Sequence, residues 1–139
     1  MYSHSIQIRV RYAETDKMGY LYYGNYASYY EVGRVEAIRS LGISYKELED
    51  SGIMMPVLDL KSTFVKPAFY DELLTLTTTI PEMPSVRMFF SYEINNEQEE
   101  TINYGKTTLV FFDNIRRKPC RPPMSLTEKL MPFFIKEES

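Results

Sequence analysis

The sequence predicts an α+β domain in which one long helix covers a five-stranded antiparallel sheet. Three observations predict it. A first alternating segment is followed by one long stretch with helical spacing; four further alternating segments come after it; and the links among those four are short. Short links join antiparallel neighbours, because a parallel crossover needs about a dozen residues or more.

The first strand is expected over residues 5–12, where Ile6, Ile8, Val10 and Tyr12 alternate with Gln7, Arg9 and Arg11. A loop over residues 13–24 leads to Asn25, the expected N-cap of a helix reaching about Leu41. In that helix Tyr26, Tyr29, Tyr30, Gly33, Ala37, Ile38 and Leu41 recur at spacings of three and four, with Glu31, Arg34 and Arg39 outside the stripe. A mid-helix glycine costs about 1 kcal/mol against alanine, so Gly33 predicts a close approach of the sheet. Gly42 ends the helix, and Ser44 with Glu47 forms a capping box for a short second helix that Gly52 closes.

After Pro56 four runs alternate: Leu58, Leu60 and Phe64; Leu74, Leu76, Thr78 and Ile80; Val86, Met88, Phe90, Tyr92 and Ile94; and residues 101–112. Residues 116–124, with three prolines, read as a linker, and Ser125 with Glu128 as the capping box of a terminal helix over about 125–134. The expectation is one domain over residues 1–139 with its core in about 5–125. A helix of about 16 residues is about 24 Å long and covers one sheet face only. Because Leu109 and Phe111 alternate with Val110 and Phe112, apolar residues on both faces point to a partner subunit.

Composition narrows the chemistry. With 139 residues, 44% hydrophobic and 25% charged, the chain is of ordinary globular make-up, and a net charge of −3 gives no reason to expect nucleic-acid binding. No apolar run reaches the roughly 18 residues of a membrane span, and no leader pattern precedes the first strand, so a cytoplasmic protein is expected. A single cysteine, Cys120, excludes an internal disulfide and argues against a multi-cysteine metal site. It sits among prolines and basic residues and reads as an incidental thiol. The one histidine, His4, lies near a terminus expected to be mobile, which leaves no support for a Ser-His-Asp triad or a His-rich metal site. No glycine-rich nucleotide loop is present, and no cofactor is expected. A carboxylate or the backbone must carry any catalysis.

The informative segment is residues 11–34. Asp16 lies in a loop leading to a helix N-terminus, with Gly19 and Gly24 available for tight turns. The unpaired N–H groups and partial positive charge of a helix start suit a developing oxyanion, and a nearby carboxylate can activate water or attack an acyl carbon. A loop aspartate is equally a turn former or a cap, and the residues alone leave both readings open. Six tyrosines crowd residues 20–30: Tyr26, Tyr29 and Tyr30 read as core, whereas Tyr20, Tyr22 and Tyr23 precede the helix and could line an acyl pocket. Glu14 reads as a charge near Asp16 or a solvated strand end, and Glu31 with Arg34 as a pair on the helix surface. Arg116, Arg117, Lys118 and Arg121 are either a solvated cluster or a contact for phosphates, with Lys61 and Lys66 as further candidates.

Arg11, Tyr12, Glu14, Thr15, Asp16, Gly19, Tyr22, Asn25, Tyr26, Tyr29, Glu31 and Arg34 match the pattern R-Y-x-E/D-T-D-x-x-G-x-V-Y-H-x-N-Y-L-x-Y-F-E-x-A-R. On these residues the chain resembles the hotdog-fold acyl-CoA thioesterases, the 4-hydroxybenzoyl-CoA thioesterase-like branch. Lys66-Pro67-Ala68 before Asp71-Glu72, and Arg117-Lys118-Pro119, extend the likeness over about residues 5–125. The resemblance implies a hotdog fold, hydrolysis of acyl-CoA or acyl-carrier-protein thioesters, and a homodimer or homotetramer with the pocket between subunits. It implies that Asp16 is the catalytic carboxylate and that the Tyr23 N–H polarises the thioester carbonyl. Many members have histidine where this chain has Tyr23 and alanine where it has Gly24; a backbone donor does not depend on either side chain. Two other functions stand beside this one: a non-catalytic acyl-thioester binding or scaffold protein, and a hotdog dehydratase, which usually relies on a histidine that His4 is poorly placed to supply.

Overall fold

A computed structural model describes residues 1–135, so the end of the expected domain, residues 136–139, lies outside the described residues. Strand β1 (Tyr2–Arg9) leads through a 3₁₀ turn (Tyr12–Glu14) and a loop to helix α1 (Asn25–Ser40) and the short helix α2 (Tyr45–Asp50). Then follow β2 (Ile53–Met54), β3 (Val57–Phe64), β4 (Leu73–Ile80), β5 (Arg87–Asn95), β6 (Thr101–Val110), β7 (Phe112–Asp113), β8 (Lys118–Pro119) and α3 (Met124–Leu130). The main sheet has the order β1-β4-β5-β6-β3, every neighbouring pair antiparallel. No helix among the described residues is long and apolar enough to cross a membrane.

Helix α1 lies over β1, β4 and β5 and buries Tyr26, Tyr29, Tyr30, Gly33, Ala37 and Ile38 of its predicted stripe, together with Arg34. Gly33 is required there. A Cβ at that position would stand 2.5 Å from Thr78 Oγ1 and 2.6 Å from Leu76 Cδ2, so the helix can approach the sheet this closely only without a side chain. Gly42 takes φ +91° after the helix, as a C′ residue should, and Ser44 Oγ accepts the Glu47 N–H at 3.1 Å to start α2. Deeper in, Tyr30 stacks on Tyr92 with centroids 4.2 Å apart, and its hydroxyl joins Asn103 on β6 and Ser62 on β3. That network is the helix's reach toward the far edge of the sheet.

Several expectations are corrected. The first strand begins at Tyr2 and ends at Arg9; His4 pairs with Thr78 inside it, and the Met1 ammonium donates to Phe133 O at 3.0 Å, so the terminus is held rather than mobile. Tyr12 falls in the 3₁₀ turn and is exposed. Asn25 is the first helical residue, not the cap; its Nδ2 donates to Glu14 O at 2.8 Å instead. Arg34 is buried, not paired with Glu31 on the surface, and lies against Tyr45 and Tyr92. Ser125 lies inside α3, whose N-cap is Pro123, so no capping box forms. The expected linker holds β8, which joins β7 and β2 in a second, three-stranded sheet.

The sheet's outer face is also unlike the expectation. Leu109 and Phe111 are fully buried within the chain, while the outer face of β1 and β4 carries hydroxyls, with Ser3–Thr79 and Ser5–Thr77 hydrogen bonds of 2.8 Å. The exposed apolar side chains gather elsewhere, on edge strand β3 and just beyond it: Val57, Leu58, Leu60, Phe64 and Val65, each about half exposed. Helix α1, lying over β1, β4 and β5, leaves them exposed, although its Tyr26 touches Phe64 with ring centroids 5.1 Å apart.

Candidate active site

The loop between β1 and α1 is built by backbone bonds around a tight turn. The Asp16 N–H donates to Tyr20 O at 3.0 Å and the Gly19 N–H to Asp16 O at 3.0 Å, with Gly19 at φ +86°, a conformation that favours glycine. Asp16 Oδ1 accepts the Met18 N–H at 2.8 Å. Among the described residues, Asp16 Oδ2 accepts no hydrogen bond. One carboxylate oxygen is therefore fixed and the other is free.

Glu14 ties this loop to the helix. Its carboxylate accepts the Arg11 N–H at 2.9 Å, the Tyr29 hydroxyl at 2.8 Å and the Arg11 guanidinium at 3.1 Å. Burial acts to raise its pKa, but these three donors together hold it below the ordinary carboxylate value. Burial, with the Glu14 charge beside it, pushes the Tyr29 phenol up in turn. The Glu14 carbonyl meanwhile accepts from Tyr22 N at 2.9 Å and Asn25 Nδ2 at 2.8 Å. Glu14 is thus neither a solvated strand end nor a free base; it is the joint between loop and helix start.

Leu21 N donates to Ala68 O at 2.7 Å, which docks the loop on the segment after β3. Between them opens a cleft of about 300 Å³ lined by Asp16, Met18, Tyr20, Leu21, Tyr23, Tyr26 and residues 64–67. Its walls are mainly rings: Tyr26 meets Phe64 at 5.1 Å, Tyr23 meets Phe64 at 6.4 Å, and Tyr22 lies against Tyr23 at 4.6 Å. Burial pushes the Tyr26 phenol up to about 12, so it stays neutral. Among the described residues the Tyr23 N–H, two residues before α1, donates to no acceptor of the chain.

Of the residues singled out from sequence, the structure brings together Asp16, Tyr20, Tyr23 and Lys66. Tyr22 stands behind Tyr23 rather than in the lining. Lys66 forms an ion pair with Glu100, so it is not a free cation. Lys61 faces outward on β3 beside Lys106, away from the cleft. Arg116, Arg117 and Lys118 sit on the β7–β8 hairpin, where Arg116 pairs with Asp113 and Arg117 lies over the Phe112 ring at 5.4 Å; they do not line the cleft of their own chain. Cys120 is half-buried, and burial pushes its thiol up, away from reactivity. Tyr26 and Phe64 were legible only as core and strand residues; nothing in their spacing marks a cleft.

The profile of the Thioesterase superfamily matches residues 18–103. The chain belongs to that superfamily. YneP of Bacillus subtilis (strain 168), provisionally named an acyl-CoA thioesterase, is 34% identical to this thioesterase-superfamily chain over 115 residues, 83% of each protein. The acyl-CoA thioester hydrolase YbgC of Escherichia coli O157:H7 is 28% identical over 119 residues, 86% of this chain and 89% of YbgC. Among solved structures, a DHNA-CoA thioesterase from Staphylococcus aureus is 38% identical and superposes with a TM-score of 0.83, covering 96% of this chain and 85% of that one. The helix-wrapped antiparallel sheet is the hotdog fold, as the motif implied, and this member of the superfamily places its motif aspartate in a ring-walled cleft.

Proposed function

We propose that this chain is a cytoplasmic hydrolase of acyl-CoA thioesters, releasing a carboxylic acid and the free CoA thiol. One observation carries the reading: Asp16, with one oxygen free of partners among the described residues, shares an apolar cleft with Tyr23, whose N–H at the start of α1 is likewise unspent among them. A backbone N–H at a helix N-terminus stabilises the oxyanion that forms as the thioester carbonyl is attacked. Asp16 acts on that carbonyl in one of two ways. As a general base it takes a proton from the attacking water; as a nucleophile it displaces the thiolate to give an acyl anhydride that water then opens. Rapid chemical quench of a single turnover with an acyl-labelled substrate separates them, since only the nucleophilic route carries the acyl group covalently on Asp16. The likeness to YneP and YbgC, both named for acyl-CoA substrates, supports coenzyme A as carrier. An acyl carrier protein is the alternative, because ATL3 of Arabidopsis thaliana, 27% identical over 137 residues, is named an acyl-acyl carrier protein thioesterase.

The cleft's rings and volume fit an acyl group, not a whole CoA, so the carrier lies along the rim. Lys66 is the cation at that rim, and carrier phosphates compete with Glu100 for it. Arg116, Arg117 and Lys118 are exposed and take the nucleotide end in this reading. Neutralising those three together is expected to raise KM for an acyl-CoA, with less effect on a short thioester lacking the nucleotide; equal effects on both substrates contradict the assignment.

The functional unit in this reading is a homodimer or a tetramer built from it, joined along β3. That strand has one unpaired edge and exposed apolar residues on both faces, whereas the other edge strand, β1, exposes Ser3, Ser5, Gln7 and Arg9. Burying about 1,000 Å² of apolar surface there is worth about 25 kcal/mol before association costs. The test of the function is free-thiol release from a panel of acyl-CoAs at neutral pH. Turnover is expected for at least one acyl group; saturable binding with no thiol release would reassign the cleft to a binding protein.

A further inference from the structure

Resting on the thioesterase reading, we propose that Gly24 and Tyr22 set the acyl selectivity of the cleft by fixing the Tyr23 ring. Gly24 has φ −65° and ψ −19°, which any residue adopts, so no backbone demand explains a glycine here. Space explains it. A Cβ on Gly24 would lie 2.6 Å from Tyr22 Cε2 and 3.1 Å from Cδ2, and its three nearest atoms all belong to that one ring. The missing side chain is the seat of the Tyr22 ring at the start of α1.

Seated there, Tyr22 backs the Tyr23 ring at 4.6 Å, and Tyr23 in turn meets Phe64 at 6.4 Å across the cleft wall. Ring centroids about 4.5–7 Å apart are in favourable contact, so three rings close one side of the cleft as a unit. Tyr23 itself is 66% exposed and has little else to hold it, which makes Tyr22 its positioning residue. A fixed wall admits a flat acyl group between Tyr20, Tyr26 and Phe64 and excludes one branched near the carbonyl. Alanine at position 24 displaces the Tyr22 ring, and because that ring is 44% exposed it can swing into solvent at little cost to the fold. Tyr23 then loses its backing and the wall opens.

The experiment measures binding of two non-hydrolysable thioethers, S-benzyl-CoA and S-neopentyl-CoA, by calorimetry, with thiol release from benzoyl-CoA followed in parallel. Wild type is expected to prefer the benzyl compound by about tenfold or more, the scale at which pockets reject surplus bulk. Gly24→Ala and Tyr22→Ala should each reduce that ratio at least about fivefold with the melting temperature nearly unchanged, and Tyr22→Phe should keep it. In the Tyr22→Ala background, Gly24→Ala should add nothing, because the only group it displaces is gone. An unchanged ratio in Gly24→Ala, additive effects in the double variant, or a wild type that binds neither compound or does not discriminate would overturn the proposal. A wild type that discriminates yet releases no thiol from benzoyl-CoA or from any member of the acyl-CoA panel contradicts the hydrolase reading alone. One that hydrolyses while the variants keep its ratio contradicts this inference alone.

Discussion

Glu14 and Asp16 stand two residues apart and do opposite work, because their surroundings differ. Glu14 is enclosed by donors: three hydrogen bonds hold its charge, and with the side chain only 14% exposed each bond counts. Hydrogen bonds to a buried charge contribute about 1.5–3 kcal/mol, so Glu14→Gln should destabilise the protein by about that much at pH 7 in urea unfolding. The sign with pH follows from the lowered pKa. Glu14 stabilises the fold above the ordinary glutamate value of about 4.3, and that stabilisation is lost as pH falls through its lower folded value. The difference between wild type and variant should therefore shrink as the pH drops below about 4; a constant difference across that window contradicts the role. The motif residues were legible because their spacing is itself the signal. Which carboxylate would be enclosed and which left free was not, since it depends on Tyr29 reaching back from one turn into α1, 15 residues away in sequence.

Helix α1 was readable because its stripe has one consistent period, and its place against the sheet was readable from Gly33 alone. The substitution Gly33→Ala tests that contact at the scale of the element. Helix propensity favours alanine by about 1 kcal/mol, but a Cβ 2.5 Å from Thr78 and 2.6 Å from Leu76 forces helix and sheet apart. Overpacking of this kind costs about 1–3 kcal/mol, so the variant should melt lower than wild type; a stabilised variant would contradict the close approach. The short elements were less legible. Strands β2, β7 and β8 have two residues each and carry no period, and β8 is formed by Lys118 and Pro119, residues that read as linker. They form because Asp113 Oδ1 accepts the Ile115 and Arg116 N–H groups at 2.9 and 3.0 Å and turns the chain back, a long-range outcome of a local turn. The basic residues thereby move to a hairpin tip, which no composition argument could place.

For the whole molecule, alternation in residues 101–112 pointed to apolar surface beyond what one helix covers, but Leu109 and Phe111 are buried within the chain, and the exposed apolar side chains lie on another strand. The excess is on β3, because α1 sits over the opposite half of the sheet, with Tyr30 reaching across to Ser62 and Asn103 and Tyr26 to Phe64. An edge of that kind should keep the chain associated: light scattering is expected to give at least twice the 16.4 kDa chain mass, and Leu60→Lys should yield a smaller, less active species. A folded monomer with full activity would contradict a shared site. The measurement that bears most directly on the account is thiol release by Asp16→Asn. Asparagine keeps an oxygen for the Met18 N–H, so fold and substrate binding should persist while kcat falls by at least about 10²-fold, the lower end of general acid–base contributions. Near-wild-type turnover by a folded Asp16→Asn protein would contradict it.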